Sequence, residues 1–421
     1  MTRRDEILEH HALVMRDGRI LDVLPSAVAA DRYAPRVVLD RPAHLLMPGL
    51  VNARTRIGSL EHAATLPQFL PEIGLLCIAN LLKTGITCFC SIGYFPRHAA
   101  QIAAAQGVRA LIGLPVAEQQ NPWAQSAGEC LTKALRLRDE YKGHPCISTG
   151  FAPLRPSSMS DATYTRIGTL ADELDAGILI SLHASKCEIE HSLAHYGLRP
   201  LARLKGLGLL TPALAAAHMV HVSAADIDLA RRGGIGVTLC LEADLMRGNG
   251  LAPVAALAAA GARAAGIHTS GVRLSVGSGG GAGGADQDLW TTMKLLMLHS
   301  QSSEAAAARQ AEPGLSAWDA LAAATRGGAA VLGLDAEIGT LEPGKWADLC
   351  CLDLSGPATQ PLYDPVRQLV FSGGRDMVND VWVAGRQLLS NGQFTRLDWP
   401  GLAARLGTPA LSLSLTRGEA S

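Results

Sequence analysis

Apolar runs of strand length alternate with helix-like stretches along most of the chain, from residue 50 onward. Helix-like segments such as 161–174 and 224–232 separate the apolar runs. Because parallel strands need long crossover connections, usually helices, eight such repeats predict an α/β fold of the (β/α)8 TIM-like barrel type. The predicted strands lie near residues 50–55, 86–92, 108–115, 146–152, 177–183, 214–219, 235–240 and 272–277.

Shorter patterns flank this repeat on both sides. Residues 12–15 and 36–39 are strand-like, and residues 17–19 between them are typical of a turn. Beyond the last barrel strand, residues 316–334 are helix-like. The pair Gly327-Gly328 predicts a break in that helix, because glycine weakens a helix interior.

Composition and charge exclude several classes of protein. The 421 residues are 48% hydrophobic, which is enough for one large domain and a smaller one. A net charge of −1, from 37 basic and 38 acidic residues, gives no basic surface for nucleic acid or an anionic membrane. No apolar run approaches the roughly 20 residues of a membrane span, and the charged start lacks the apolar region of a signal peptide. Nine cysteines without a secreted-type spacing indicate reduced thiols, so we expect a cytoplasmic location.

Several segments carry a family resemblance. Residues 47–56 read MPGLVNARTR, typical of a buried strand that opens onto a loop, and resemble the amidohydrolase superfamily entry motif PGL-(I/V)-N-A-H-T-H. Residues 338–349, IGTLEPGKWADL, resemble that family's IGSLEPGK-x-ADL segment. Residues 197–210 and 364–370 resemble segments of the methylthioadenosine/S-adenosylhomocysteine deaminase branch, which is grouped with triazine hydrolases. The resemblance extends over about residues 10 to 398, nearly the whole chain.

The resemblance implies two domains. Residues 50–335 would form the amidohydrolase-like (β/α)8 barrel. Residues 1–49 and 336–421 would join in one small composite β-sandwich, because the family pairs its N-terminal strands with the segment after EPGK. The strand-like run at 381–386 would be the final hairpin strand of the same domain.

The resemblance also implies five metal-site positions at the carboxyl ends of the barrel strands. The paired histidines of the entry motif fall here on Arg54 and Arg56, and a guanidinium offers no lone pair to a metal. The third and fourth positions fall on His183 and His218, which keep an imidazole. The fifth, an aspartate in the family, falls on Gly279. We therefore expect no metal cofactor, although relatives use zinc or iron.

Other functional positions of the family differ as well. The proton-shuttling glutamate falls on Lys186, and two histidines on the substrate side fall on Leu154 and Leu239. The cations Arg54, Arg56 and Lys186 would repel a bound dication by several kcal/mol at ~4 Å. Side chains nearby in sequence could still complete a metal site: Glu61, His62, Cys187 and Glu188.

Several of these residues have a purely structural interpretation. His183 and His218 are either core histidines hydrogen-bonded to the backbone or contacts for a ligand. Cys88 and Cys90 lie on one face of the second barrel strand and are interpreted as buried thiols, the alternative being an activated thiolate. The glycine-rich residues 277–284 are either a loop without ligand-bearing residues or a backbone cradle for an anion. Residues 192–200, which include His195, are interpreted as ordinary helix and loop.

Together these features predict an amidohydrolase-family pseudoenzyme without the metal site or deaminase activity, acting in binding, in regulation or as a partner subunit. The alternative is a metal-independent hydrolase or lyase for a small anionic or nitrogen-heterocyclic metabolite, with His183, His218 and Lys186 as candidate catalytic residues. We expect an anionic small-molecule ligand, unless Glu188 or Glu242 neutralises the cations. The expected assemblies are a homodimer or a hetero-oligomer with an active paralogue. The candidate ligand-binding residues are Arg54, Arg56, Lys186 and Arg155.

Overall fold

The computed structural model describes residues 6–58, 69–261, 271–280, 287–301 and 315–407. The strands of this part of the chain are β1 (His11–Arg16), β2 (Arg19–Pro25), β3 (His44–Pro48), β4 (Leu50–Thr55), β5 (Ile86–Ile92), β6 (Arg109–Val116), β7 (Ile147–Pro153), β8 (Ile178–Leu182), β9 (Leu214–His218), β10 (Gly236–Leu239), β11 (Arg273–Val276), β12 (Leu349–Asp353), β13 (Val378–Val383), β14 (Arg386–Ser390) and β15 (Gln393–Phe394).

The α-helices connect these strands or pack beside them. They are α1 (Ser26–Arg32), α2 (Leu70–Lys83), α3 (Pro96–Gln106), α4 (Ala127–Glu140), α5 (Asp161–Leu174), α6 (Lys186–Tyr196), α7 (Pro200–Gly206), α8 (Ala224–Gly233), α9 (Leu241–Met246), α10 (Val254–Ala260), α11 (Leu289–Ser300), α12 (Ala317–Ala323), α13 (Arg326–Val331), α14 (Pro365–Ser372) and α15 (Trp399–Leu406).

The central sheet is a nearly closed parallel barrel. Its eight strands lie in chain order from β4 to β11, each paired in parallel with the next. Every residue of β4, β5 and β6 is buried, as expected for parallel strands covered by helices on the outside and by side chains within. The predicted (β/α)8 fold class is confirmed, and each predicted barrel strand has its counterpart.

A second, antiparallel sheet joins the two ends of the described chain. Its order is β15-β14-β13-β12-β3, so β3 from the N-terminal segment pairs with β12, as in the register Leu349 with Pro48. The β1–β2 hairpin lies against residues 345–347, where the backbone N–H of Ile20 donates to the carbonyl of Lys345 at 2.8 Å. Strands from both segments therefore share one sheet, and the composite β-sandwich domain of 1–49 and 336–421 stays a prediction, as does the barrel domain of 50–335.

A buried ion pair connects the barrel to this sheet. Arg109, at the start of β6, donates from Nε to Asp348 just before β12, at 2.6 Å. The same carboxylate accepts the backbone N–H of Ala384 at 2.7 Å. Burial opposes the charge of Arg109, but Asp348 outweighs it and holds the pKa of the guanidinium above its usual range. The amino-terminal end of the barrel is therefore joined to the second sheet by a fully formed charge pair.

Two predictions outside the barrel strands are wrong. Residues 36–39 are not a strand: they form an exposed segment without regular secondary structure, in which Val37 and Val38 face solvent. The helical stretch 316–334 breaks at Ala324 and Thr325, whereas Gly327 and Gly328 lie inside α13. The glycines serve close packing there, since a Cβ on Gly328 would lie 2.7 Å from Cβ of Val51 on β4.

Candidate functional site

Arg54 lies at the carboxyl end of β4 and points into the barrel, where only 4% of the residue is exposed. Its guanidinium donates to the carbonyls of Thr55, at 3.3 Å, and Ile92, at 3.5 Å. It also donates to Oγ of Ser181 on β8, at 3.2 Å. These acceptors are neutral, and Nε of Arg54 has no hydrogen-bond partner among the described residues. The first predicted site position thus holds a buried cation that contacts three strand ends.

The environment of Arg54 disfavours its charge. Burial, with the like charges of Arg56 and Arg247 as further causes, lowers the pKa of the Arg54 guanidinium to about 10. Arg56 is half-buried, and Arg247 donates to the carbonyl of Gly280 at 3.2 Å. The sequence indicated Arg56 but not Arg247, which follows α9 and reaches this end of the barrel only through the path of the chain.

His183 lies directly after β8, is fully buried and has a left-handed backbone, with φ of 53°. Its Nε2 accepts the backbone N–H of Leu201 on α7 at 3.3 Å. Its Nδ1 therefore carries the hydrogen and donates to the carbonyl of His221, also at 3.3 Å. Burial lowers the pKa of His183, so the neutral ring is favoured. Because both nitrogens contact the backbone, the ring offers no lone pair to a metal ion.

His218 ends β9 and forms a buried pair with Asp244 of α9. Its Nδ1 lies 2.8 Å from Oδ1 of Asp244, which also accepts from Asn249 at 3.1 Å. Burial lowers the pKa of His218, with the nearby charges of Arg54 and Arg247 acting in the same direction and Asp244 opposing. The other carboxylate oxygen of Asp244 has no hydrogen-bond partner among the described residues. Sequence reasoning missed Asp244, although an acidic residue just after a barrel strand was a usable signal.

The backbone at Gly279 leaves no room for a side chain. Its φ is +69°, and its N–H donates to the carbonyl of Arg54 at 2.8 Å. A Cβ at this position would lie 2.6 Å from Cβ of Ala243 on α9 and 3.0 Å from Cβ of Cys240. The start of α9 therefore fills the space that an aspartate would need.

The other predicted residues lie nearer the surface. Lys186 is the exposed first residue of α6. Glu188 accepts the backbone N–H groups of His183 and Ala184, both at 2.9 Å, and burial raises the pKa of its carboxyl. Arg155 is exposed, follows β7 with a φ of 52° and donates to Gln119 at 3.2 Å. The carboxylate of Glu188 thus serves as a hydrogen-bond acceptor for two backbone N–H groups.

The cysteines and the other metal candidates that the structure describes form no ligand set. Cys88 and Cys90 are fully buried, and burial raises the pKa of Cys90 to about 12, so the neutral thiol dominates. Cys187 is exposed on α6. Within the described ranges, no three His, Cys, Asp or Glu side chains lie close enough together to hold a metal ion. Glu61, His62 and residues 281–284 of the glycine-rich stretch lie outside those ranges.

A nearly closed parallel barrel with its polar residues at the carboxyl strand ends, joined to an antiparallel sheet from both chain ends, is the architecture of the amidohydrolases. The chain belongs to the amidohydrolase family, whose model matches residues 45–388. Among curated relatives, it is 34% identical to a 5-methylthioadenosine/S-adenosylhomocysteine deaminase of Teredinibacter turnerae, over 93% of this chain and 90% of that protein. It is 31% identical to the protein of the same description from Saccharophagus degradans, with the same coverage.

Solved structures of amidohydrolase-type enzymes align with this chain over most of its length. An adenosine deaminase from Xanthomonas campestris with bound zinc aligns with a TM-score of 0.88 and 34% identity, covering 98% of this chain and 95% of that one. The zinc complex of atrazine chlorohydrolase from Arthrobacter aurescens aligns with a TM-score of 0.81 over 94% of both chains, and at 19% identity it shows the fold alone. No described helix is long and apolar enough to cross a membrane.

Proposed function

We propose that this chain is an amidohydrolase-family protein that does not carry out metal-dependent deamination and that serves as a binding protein, through the strand ends around Arg54. One observation carries the proposal: a buried guanidinium lies at the first metal-ligand position and donates to Thr55, Ile92 and Ser181. A protonated guanidinium cannot coordinate a metal, and its charge opposes one nearby.

The other ligand positions support the same conclusion. The ring nitrogens of His183 are both hydrogen-bonded to the backbone, so of the two retained histidines only His218, whose Nδ1 is paired with Asp244, keeps a nitrogen for a metal ion. At Gly279 the neighbouring Ala243 blocks a metal-binding side chain. A catalytic zinc site needs three protein ligands and a water. The described residues at these positions do not fit that requirement, so no step of the proposed function passes through a metal.

Metal analysis and an ammonia assay test the loss of deamination. Purified, untagged protein should hold well under one equivalent of zinc, iron or manganese by mass spectrometry. It should release no ammonia from methylthioadenosine, S-adenosylhomocysteine or adenosine, with the Xanthomonas campestris adenosine deaminase as the positive control on adenosine. One equivalent of metal that is lost in a His183→Ala or His218→Ala variant, or ordinary turnover on any of the three, would overturn the proposal.

The ligand that we propose is a small anion, a carboxylate or a phosphate. Arg54 is buried against neutral acceptors, with Arg56 and Arg247 as like charges nearby. A buried cation is costly without a negative partner, and a guanidinium binds carboxylate and phosphate through paired hydrogen bonds. Two of the described carboxylates have other partners, since Asp244 binds His218 and Glu188 binds backbone N–H groups. An anion at Arg54 would give its guanidinium a negative partner.

Thermal shift in sodium phosphate, sulfate and small dicarboxylates tests this ligand. A ligand that binds only the folded state stabilises it by about 2.7 kcal/mol at a hundred times its Kd. The rise in Tm should shrink in Arg54→Ala and in high salt, and should persist in Arg231→Ala, whose exposed guanidinium pairs with Asp228. An unmoved Tm throughout the screen would refute the ligand. So would a new response in Glu242→Gln, because it would reveal an internal counter-charge.

Assembly is a further part of the proposed role, since a protein that acts without catalysis acts through what it binds. We propose a homodimer, or a hetero-oligomer with an active paralogue. Light scattering of the pure protein, and its co-purification with an intact paralogue when the two are expressed together, test this. A monomer under both conditions would refute the role as a partner subunit, and it would not affect the proposal that the protein binds a small molecule.

One observation favours a second candidate function, a metal-independent hydrolase or lyase. Asp244 orients the buried His218 through Nδ1, and such a pairing fixes the tautomer of a general base. In this alternative Arg54 would stabilise negative charge that develops on a small substrate. A turnover that appears in a metabolite screen without metal, and that is lost in His218→Asn, would favour this function over pure binding.

A further inference from the structure

Helix α6 carries a histidine pair that the proposed site does not use. His191 and His195 are four residues apart, so their side chains project from the same face of the helix. Their rings are stacked, with centroids 3.9 Å apart and planes inclined by 24°. His191 is half-buried and His195 is exposed. The two imidazoles are therefore already held side by side at the protein surface.

A backbone hydrogen bond fixes the free nitrogen of His195. Its Nδ1 lies 2.9 Å from the carbonyl oxygen of His191, and only an N–H can donate to a carbonyl. Nδ1 therefore carries the hydrogen, and the lone pair is on the exposed ring's Nε2. Metal-binding histidines commonly donate their second nitrogen to a backbone carbonyl in this way, which orients the ring and increases its basicity.

We infer that His191 and His195 form a surface site for one divalent transition-metal ion, such as Ni²⁺ or Zn²⁺, with water completing the coordination. Imidazole suits these ions, and two histidines at this helical spacing are the arrangement of the helical zinc motif. Metal–nitrogen distances of about 2.1 Å place two ligand nitrogens within about 4 Å of each other. The ring centroids already lie 3.9 Å apart, and because an imidazole lone pair lies in the plane of its ring, the ring of His191 must rotate out of the stack to share an ion with Nε2 of His195. That rotation is about side-chain torsions and leaves the helix backbone unchanged.

This site differs in position and chemistry from the site around Arg54. The Arg54 guanidinium is buried with other cations nearby, whereas the histidine pair lies on the outer part of a barrel helix. A bound ion would join two successive turns of α6 and so stabilise the second half of that helix. The inference therefore stands whether or not the proposed function is correct.

Calorimetric titration of metal-depleted, untagged protein with NiCl₂ at pH 7.5 tests the site. We expect one equivalent of Ni²⁺ to bind, with the affinity falling at least tenfold in His191→Ala and in His195→Ala. Binding should also weaken at pH 5.5, because protons compete for the imidazoles. The matched control is His10→Ala/His11→Ala, which removes two exposed imidazoles that are adjacent in sequence and not stacked on one helix face; it should bind as the parent does.

A second variant tests whether the ligand is the histidine pair or the exposed thiol of Cys187, which lies one turn earlier on the helix. Cys187→Ser should keep the Ni²⁺ affinity within about twofold if the imidazoles are the ligands. A tenfold loss in Cys187→Ser, or unchanged binding in either single histidine variant, would overturn the assignment. Circular dichroism of each variant should match the parent, since both histidines lie on a solvent-facing helix surface. A rise in Tm with Ni²⁺ that His195→Ala abolishes would support it independently.

Discussion

Replacing Gly279 by aspartate restores the residue type that relatives use as a metal ligand, and we expect this change to destabilise the protein. Two costs add. The backbone has a φ of +69°, a region in which a side chain costs about 1 kcal/mol or more. The new Cβ would lie 2.6 Å from Cβ of Ala243, and overpacking of this kind costs about 1–3 kcal/mol. The expected total is therefore about 2–4 kcal/mol.

Gly208 provides the matched control, because its φ is +75° and, among the described residues beyond its chain neighbours, no atom would lie within 4 Å of a Cβ there. Gly208→Asp should carry only the backbone cost of about 1 kcal/mol. Thermal unfolding followed by circular dichroism should then show a clearly larger fall in Tm for Gly279→Asp, and the pair Gly279→Ala and Gly208→Ala should keep the same order. The alanine pair removes any effect of the carboxylate charge.

Equal falls in Tm for the two positions would refute the reasoning. They would mean that α9 moves aside at little cost, and that the space beside Arg54 is available to a side chain. The interpretation of Gly279 as a filled metal position would then fail, even if the protein held no metal.

Two further predictions concern buried polar groups. Burial lowers the pKa of His183, so the unfolded chain takes up a proton near pH 6.5 that the folded protein does not. In urea unfolding from pH 7 to 5, the unfolding free energy should therefore fall as the pH falls below about 6.5. It should fall less steeply in His183→Asn. Arg109→Met leaves the carboxylate of Asp348 buried and unpaired and should cost about 3–5 kcal/mol in the same assay, whereas Arg231→Met, which breaks an exposed pair with Asp228, should be nearly neutral.

The barrel was predictable because its signal is local and repeated. Each buried parallel strand is a run of apolar residues, and the predicted strand at 86–92 coincides with β5. The strand prediction for residues 36–39 was wrong because β-branched residues favour strands only where a partner strand and burial are available. Val37 and Val38 have neither in the described structure.

The site was only partly predictable, because its contacts join distant parts of the chain. The sequence placed Arg54 and His218 at strand ends, since family segments fix those positions. It did not reveal Asp244 or Arg247, which reach the site through α9 and the turn after it. Nor did it reveal that Leu201 donates to the ring of His183, because that contact depends on how α7 packs after β8.

Restoring the family residues one for one should therefore not rebuild a metal centre. In the combined variant Arg54→His/Arg56→His/Lys186→Glu/Gly279→Asp, the ring of His183 would still be hydrogen-bonded to Leu201 and His221, and Ala243 would still occupy the space beside residue 279. With His195 also replaced by alanine, so that the proposed surface site does not contribute, we expect less than one equivalent of zinc by mass spectrometry, in this variant and in the variant that keeps Gly279, which avoids the packing cost. Stoichiometric zinc in either one would show that the strand ends alone define the site. Little zinc in both would mean that the path of α9 and the packing of α7 separate this protein from its zinc-binding relatives as much as the substituted ligands do.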